Sequence, residues 1–470
     1  MVRPAVNDAP VAPQVRPVAH GTTAVWKPVE RGLLLTLLLL KLHTVAEYWG
    51  HAYGYDASQW LVAFEHVHWM EPLPPIRKFF VGWHPPLSFL VTRALFWVYP
   101  HAVECSQIVS TVGVVGGVLL LRASLQHAGL LWTAGGVCFL YLAAGLPLLV
   151  WLQMETSQDA LVFFFFMLTL HASVRLFWRP ESGRHWGWRA LLAASLYAGM
   201  MTKFSGAVAY GVPPLVLGVR RLGLLAWAVR VPAHVRRAPL ARVLSQTMTV
   251  LVCCTVAGVP TLGFLYDRYY REEGKLMPVS MDWQRPEDLA AIHKVRDQDR
   301  VGFVLRLLKP EGPFTNIREP ARDSVTASLW MLTFRKDWVL GAQSDFSNSV
   351  SDFYTVVFLL LALWGTLLFV GAPASQPRAW NHLGWVLYLV GAAFTFSLVL
   401  FNYRYPLFDW IEVKAKYVTA GLLWIPWAAA QTLTQTLGWR WRPRPHRWLV
   451  GGVAGCLLLW MCVNHLTPVY

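Results

Sequence analysis

The sequence predicts an all-α, polytopic membrane protein, and three observations predict it. Only 14% of its 470 residues are charged and 55% are hydrophobic, against about 25% charged in a soluble domain. Apolar runs such as 33–40, 357–370 and 449–463 recur along the chain. With their flanks they approach the roughly 20 residues that a spanning helix needs. The runs are continuous, whereas a β-barrel shows weak period-two alternation.

Taken in order, the elements begin with a tail. Residues 1–30 are rich in Pro, Val and Ala and carry no helical period, so they read as a disordered cytoplasmic segment. No apolar core follows a charged start at the distance a cleavable signal requires. Spans are then expected near 32–48, 106–121, 129–150, 159–177, 190–202, 204–219, 243–265, 353–371, 383–401, 417–433 and 449–465, about eleven in all. The chain divides into a first transmembrane module at 31–266 holding the chemistry, a polar insertion at 267–352 suited to cap it, and closing helices at 353–470.

Charge sets the orientation. The net charge of +15 comes from arginines clustered between apolar runs, the pattern of cytoplasmic loops and not of nucleic-acid binding. Arg122, the group Arg175, Arg179, Arg184 and Arg189, the group from Arg220 to Arg242, and the group from Arg440 to Arg447 all belong inside. The Arg- and Trp-rich style points to a prokaryotic plasma membrane with the working face outside. Keeping the clusters on one side makes 84–99 an interfacial helix in a first external loop, because a further crossing there would break the parity. It also forces two crossings between Arg189 and Arg220. Both helices are then short and meet at a break around Met201–Gly206, which puts Lys203 below the outer surface. Such breaks are tolerated only where they line a cavity or are buried in protein. Six cysteines lie in or beside apolar runs and form neither a disulfide framework nor a zinc spacing.

The candidate chemistry lies on the external side. Asp56, at the start of the first external loop, reads as a general base or as the cap of a helix beginning at Ala57. Glu155 and Asp159 in the brief second loop offer a second acid, although on local sequence Asp159 reads first as the cap of the apolar helix that follows. Lys203 falls within an apolar stretch and fits snorkelling poorly, so it reads as a phosphate contact. Lys414, Lys416 and Arg404 add positive charge on the same face. Tyr55, Gln59 and His84 read as residues that shape the acceptor side. His51, His66, His68 and His84 with Glu65 and Glu71 offer a divalent metal site as the less favoured alternative, since His66 and His68 point to different sides of a helix. No cofactor is required.

Five motifs then fall in order. They are Asp56, His84-Pro85-Pro86-Leu87, Ser157-Gln158-Asp159-Ala160-Leu161, the run from Gly199 through Thr202-Lys203 to Gly206, and Lys414-Ala415-Lys416-Tyr417. Over about residues 30 to 215, and more loosely over roughly the last 70, this order resembles the GT-C superfamily of membrane glycosyltransferases. The likeness is to the branch that includes protein O-mannosyltransferases and the lipid A aminoarabinose transferases, family 39-like enzymes. The resemblance implies a GT-C type bundle and an inverting transferase using a polyprenyl-phosphate sugar, with a lipid, glycan or protein as acceptor. It implies Asp56 as the base, Asp159 or Glu155 as the second acid, and Lys203 with Lys416 on the lipid phosphate. Two departures matter. Ala57 follows Asp56 where many members carry Glu, so adjacent carboxylates are not implied, and Lys416 replaces an Arg whose forked contact is lost. The competing readings are a secondary transporter with a charged cavity and a non-catalytic assembly partner. A transporter would show pseudo-symmetric halves, and no internal repeat is visible.

Overall fold

A computed structural model gives the fold. It describes residues 20–52, 57–67, 71–78, 82, 84–178, 185–229, 233–278, 345–371, 378–404, 415–436 and 447–466. Among these residues every extended element is a helix. Five stretches are long and apolar enough to cross a membrane: Ala102–Ala128, Asp159–Phe177, Val243–Glu273, Ala379–Leu400 and Trp448–Leu466. A sixth arises if a pair bent by 46° counts as one span. The protein is an integral membrane protein.

Helix α1 (His20–Glu47) starts inside the stretch expected to be a disordered tail. It does so because Trp26 and Glu30 are wholly buried. The Glu30 carboxylate accepts from Arg122 Nε at 2.6 Å and Nη2 at 3.1 Å, and Tyr141 Oη donates to the Glu30 carbonyl at 2.8 Å. A sequence period does not reveal a helix whose first turns are held by distant polar partners.

Between α1 and the next long helix lie α2 (Ala57–His66), a 3-10 turn (Ile76–Lys78) and α3 (Leu87–Phe96). The ten residues of α3 extend about 15 Å, half the hydrocarbon thickness of about 30 Å. It does not span, as the parity argument expected. One stripe of α2 is buried through Ala57, Trp60, Ala63 and Phe64.

The central scaffold is α4 (Ala102–Ala128), α5 (Ala134–Ala144), α6 (Pro147–Met154) and α7 (Asp159–Phe177). Gly113 and Gly117, one turn apart, let α4 lie directly on α7. A Cβ at Gly113 would stand 2.7 Å from the Ala160 carbonyl oxygen, and one at Gly117 2.5 Å from the Phe163 ring. This is the small-xxx-small contact of membrane helices. Further along, Ser124 meets His171 at 3.1 Å and His127 meets Arg175 at 2.8 Å. The contacts advance along both helices together, so α4 and α7 run parallel, with α5 and α6 as the return path. That return bends at Gly145-Leu146-Pro147, where proline has no N–H to continue a ladder.

The chain continues through α8 (His185–Thr202), a 3-10 segment (Phe204–Gly211), α9 (Val212–Val229) and α10 (Ala233–Leu265). The last extends as a π-helical turn (Tyr266–Tyr270) and a short turn (Arg271–Glu273). Then come α11 (Asp345–Gly371), α12 (Arg378–Arg404), a 3-10 segment (Ala415–Leu423), α13 (Trp424–Thr436) and α14 (Arg447–Leu466). Trp427 stacks on Trp380 and meets Phe369 edge-on, joining α11, α12 and α13.

The crossings on either side of Lys203 are not half-length, since α8 begins before Arg189 and α9 runs past Arg220 and Arg221. Arg122 and Arg175 likewise sit within helices, not in loops. Hydrocarbon ends where the apolar run ends, but the hydrogen-bond ladder runs on into the arginine-bearing turns. The second loop is also not an exposed turn: residues 155–158 are buried throughout. Of the polar insertion, residues 279–344, including the amphipathic 301–308 stretch, lie outside the described residues.

Candidate active site

The site is built from one buried loop and one helix break. The loop joins α6 to α7, and Glu155, Thr156, Ser157, Gln158 and Asp159 are all at most 7% exposed. It is tied to α4, where the Glu155 carbonyl accepts from Ser110 Oγ at 2.8 Å. Asp159 is the first residue of α7 and not its cap. Its N–H donates to Ser157 Oγ at 3.3 Å, and Ser157 Oγ lies 3.4 Å from Asp159 Oδ2. The positive end of the α7 dipole favours a carboxylate there.

Gln158 faces the other way. Its amide nitrogen lies 2.7 Å from His84 Nδ1, and its carbonyl accepts from Ser88 Oγ at 3.4 Å. An amide nitrogen only donates, so Nδ1 is the acceptor. The His84 ring stacks on Trp60 of α2 with centroids 5.0 Å apart, and Trp60 stacks in turn on Phe89 of α3. The His-Pro-Pro turn is thereby held between α2 and the start of α7.

Lys203 supplies the charge opposite. Helix α8 ends at Thr202, Lys203 is extended (φ −161°, ψ 148°), and a 3-10 segment follows. The Gly206 N–H donates to the Lys203 carbonyl at 2.8 Å. A Cβ on Gly206 would stand 2.2 Å from the Gly199 carbonyl oxygen, so only glycine lets the new segment fold against the last turn of α8. From this break Lys203 Nζ reaches Asp159 Oδ1 at 2.7 Å, with side chains 10% and 2% exposed. Each charge needs the other, since an isolated buried ion is costly.

The structure thus brings together Asp159, Lys203, His84 and the buried Glu155. Gln59 is exposed on α2 and stands apart from this network. Asp56, Tyr55 and Lys414 lie outside the described residues, and for Lys416 and Arg404 only the helical backbone is described. Among the described residues no three His, Cys, Asp or Glu side chains converge to hold a metal ion. Sequence reasoning missed Gln158, Ser88 and Trp60 as parts of the site. Gln158 was visible only as the unspecified position of the Ser-x-Asp motif.

No family model matches the chain, and no curated protein matches it. Among solved structures it is similar to ArnT from Cupriavidus metallidurans bound to undecaprenyl phosphate, at 14% identity and a TM-score of 0.40, over 86% of this chain and 78% of that one. It is similar also to the archaeal oligosaccharyltransferase AglB from Archaeoglobus fulgidus in complex with an inhibitory peptide and a dolichol-phosphate. There the identity is 12% and the TM-score 0.48, over 93% of this chain and 56% of that one. The chain therefore corresponds to little more than half of the archaeal protein. Any activity is argued from the residues.

Proposed function

We propose that the protein is an inverting glycosyltransferase that moves a hexosyl or pentosyl group from a polyprenyl-phosphate donor to an acceptor at the non-cytoplasmic face of a prokaryotic plasma membrane. The observation that carries this reading is the buried Lys203–Asp159 pair at a break between helices. Charge at such a break is costly and marks a functional site by default. The fold then has eleven crossings, with α5–α6 and each 3-10 segment plus its following helix counted as one. The arginine-bearing ends lie inside, and the Asp159 end lies outside.

In this scheme Asp56 takes the proton of an acceptor hydroxyl or amine as that atom attacks the anomeric carbon. The bond from that carbon to the phosphate oxygen breaks, its electron pair leaves with the polyprenyl phosphate, and the configuration inverts. Lys203 takes up the growing phosphate charge, with Lys416, Lys414 and Arg404 supporting it. Asp159 holds and aims Lys203, which leaves Glu155 as the candidate for a second acid. The acceptor is a lipid, a glycan or a protein.

The test uses the full chain in lipid nanodiscs with radiolabelled undecaprenyl-phosphate sugars. Label is expected to move to an acceptor fraction of envelope extract, and Asp56→Asn is expected to abolish that movement while donor binding persists. Undiminished transfer by a folded Asp56→Asn protein removes the proposed base. Mass spectrometry of envelope lipids, glycans and proteins from a deletion strain identifies the acceptor.

A further inference from the structure

Two consecutive residues at the end of α10 reach two different parts of the site. The loop before the 3-10 turn reads Glu71-Pro72-Leu73-Pro74-Pro75-Ile76. Prolines keep it extended and remove N–H groups, so its carbonyls have no local ladder to enter. Arg268 supplies the missing donors. Its Nη1 lies 3.4 Å from the Leu73 carbonyl, and its Nη2 bonds the Pro74 carbonyl. The guanidinium is fixed in turn by Glu272 at 2.9 Å, and Glu272 also accepts from the Ile76 N–H at 3.4 Å. Arg77 makes a forked contact to Glu273 at 2.9 and 2.8 Å.

The neighbouring Tyr269 is buried and faces the helix break. Its ring meets Phe204 edge-on, with centroids 5.5 Å apart. Tyr269, Ile76, Met200 and Leu265 form one apolar cluster. Phe204 directly follows Lys203, and Met200 lies one turn before it. Arg268 and Tyr269 also share a cavity of about 20 Å³ with Leu73, Pro74 and His84, room for about one water. The helix changes to a π turn over Tyr266–Tyr270, a local widening that recurs at functional sites.

We infer that Arg268 and Tyr269 are positioning residues: the first fixes the proline loop that leads to His84, and the second fixes the break that carries Lys203. They touch no reacting atom. The pair makes the loop and the break move as one body, so that loosening either loosens the other. This deepens the glycosyl-transfer reading for its rate consequence, while the mechanical coupling stands without it.

Hydrogen exchange of the full chain in nanodiscs tests the coupling directly. In Arg268→Gln, amides of both 71–78 and 199–206 are expected to exchange faster, with those near Glu30 and Arg122 unchanged. In Tyr269→Leu the same two segments respond, and Tyr269→Phe, which keeps the ring, restores the native pattern. Faster exchange confined to 71–78 in Arg268→Gln overturns the proposal. A rise everywhere in both Arg268→Gln and Arg268→Lys also overturns it, because Arg268 then holds the whole fold. With an undecaprenyl-phosphate sugar, kcat in Arg268→Gln is expected to fall about 100-fold, as for a reacting group displaced by about 1 Å, with donor KM within about threefold. Loss in KM alone counts against positioning. If the wild type transfers no sugar but the exchange coupling holds, the activity reading fails and the coupling survives.

Discussion

The ammonium of Lys203 lies 2.7 Å from the carboxylate of Asp159, with both side chains nearly closed to solvent. The two residues come from the unwound end of one helix and the first turn of another. The contact therefore reports on both the fold and the chemistry. Removing one partner leaves the other as an uncompensated buried charge, which costs about 3–5 kcal/mol. Lys203→Met alone and Asp159→Asn alone are expected to lower the thermal midpoint in detergent. The double variant is expected to recover most of that loss, so the coupling energy in the cycle is at least as large as a single loss, on the order of 3–5 kcal/mol or more. It should still transfer no sugar. Recovery of transfer along with stability would show that the pair is only a structural tie.

Gly206 and Gly199 face each other across the same break but predict opposite outcomes. A Cβ on Gly206 would overlap the Gly199 carbonyl at 2.2 Å, and backbone does not swing aside as a side chain does. Gly206→Ala is expected to cost about 1–3 kcal/mol, as overpacking does, and to move Lys203 off Asp159. At Gly199 the nearest atom to an added Cβ is Phe165 Cβ at 3.5 Å, an ordinary contact. Gly199→Ala is expected to fold and transfer as the wild type does. Thermal unfolding followed by a transfer assay separates the two.

Much of this was legible in the chain, for identifiable reasons. Long apolar runs announced the helices, and the parity of the arginines kept α3 short of a full span and put Lys203 at a break. Both depend on composition, which sequence displays directly. Tertiary polar pairing was not legible. Glu30 gave no hint that it buries against Arg122 and Tyr141, and so α1 starts twelve residues before the apolar run that announced it. Nor did Gln158 announce that it joins His84 to α7, because a partner 74 positions away in sequence leaves no local pattern. The charged helix ends were hidden as well, since apolar periodicity stops before the helix does.

Glu30 and Arg122 provide a control far from the chemistry. Arg122 lies about 13 Å further along α4, at 1.5 Å per residue, than Gly113, which touches Ala160 beside Asp159. Glu30→Gln leaves the guanidinium, 23% exposed, without its carboxylate. A loss of about 3–5 kcal/mol is expected, read as a lower midpoint and weaker membrane accumulation. The folded fraction should transfer sugar at the wild-type rate. A fall in kcat per folded molecule, measured by active-site titration with a non-transferable donor analogue, would place this end of the bundle in the catalytic coupling.

His84 is held by two different interactions, and substitutions can remove them one at a time. The stack on Trp60 is a matter of shape and ring electrons, and the bond from Gln158 is a matter of one lone pair. His84→Phe keeps the stack but strands the Gln158 amide donor in a buried place, which costs about 1–3 kcal/mol. His84→Asn keeps an acceptor for that amide but gives up the ring contact, worth roughly 0.5–1.5 kcal/mol beyond its area. If His84 serves only to hold the turn between α2 and α7, the two variants should fall in stability in that order and keep comparable transfer rates per folded molecule. If its other nitrogen faces the reacting groups, both variants lose transfer far beyond their loss of stability. The glycosyl-transfer scheme places His84 on the acceptor side, so the second outcome is expected. It is measured as a rise in acceptor KM with donor binding to undecaprenyl phosphate unchanged.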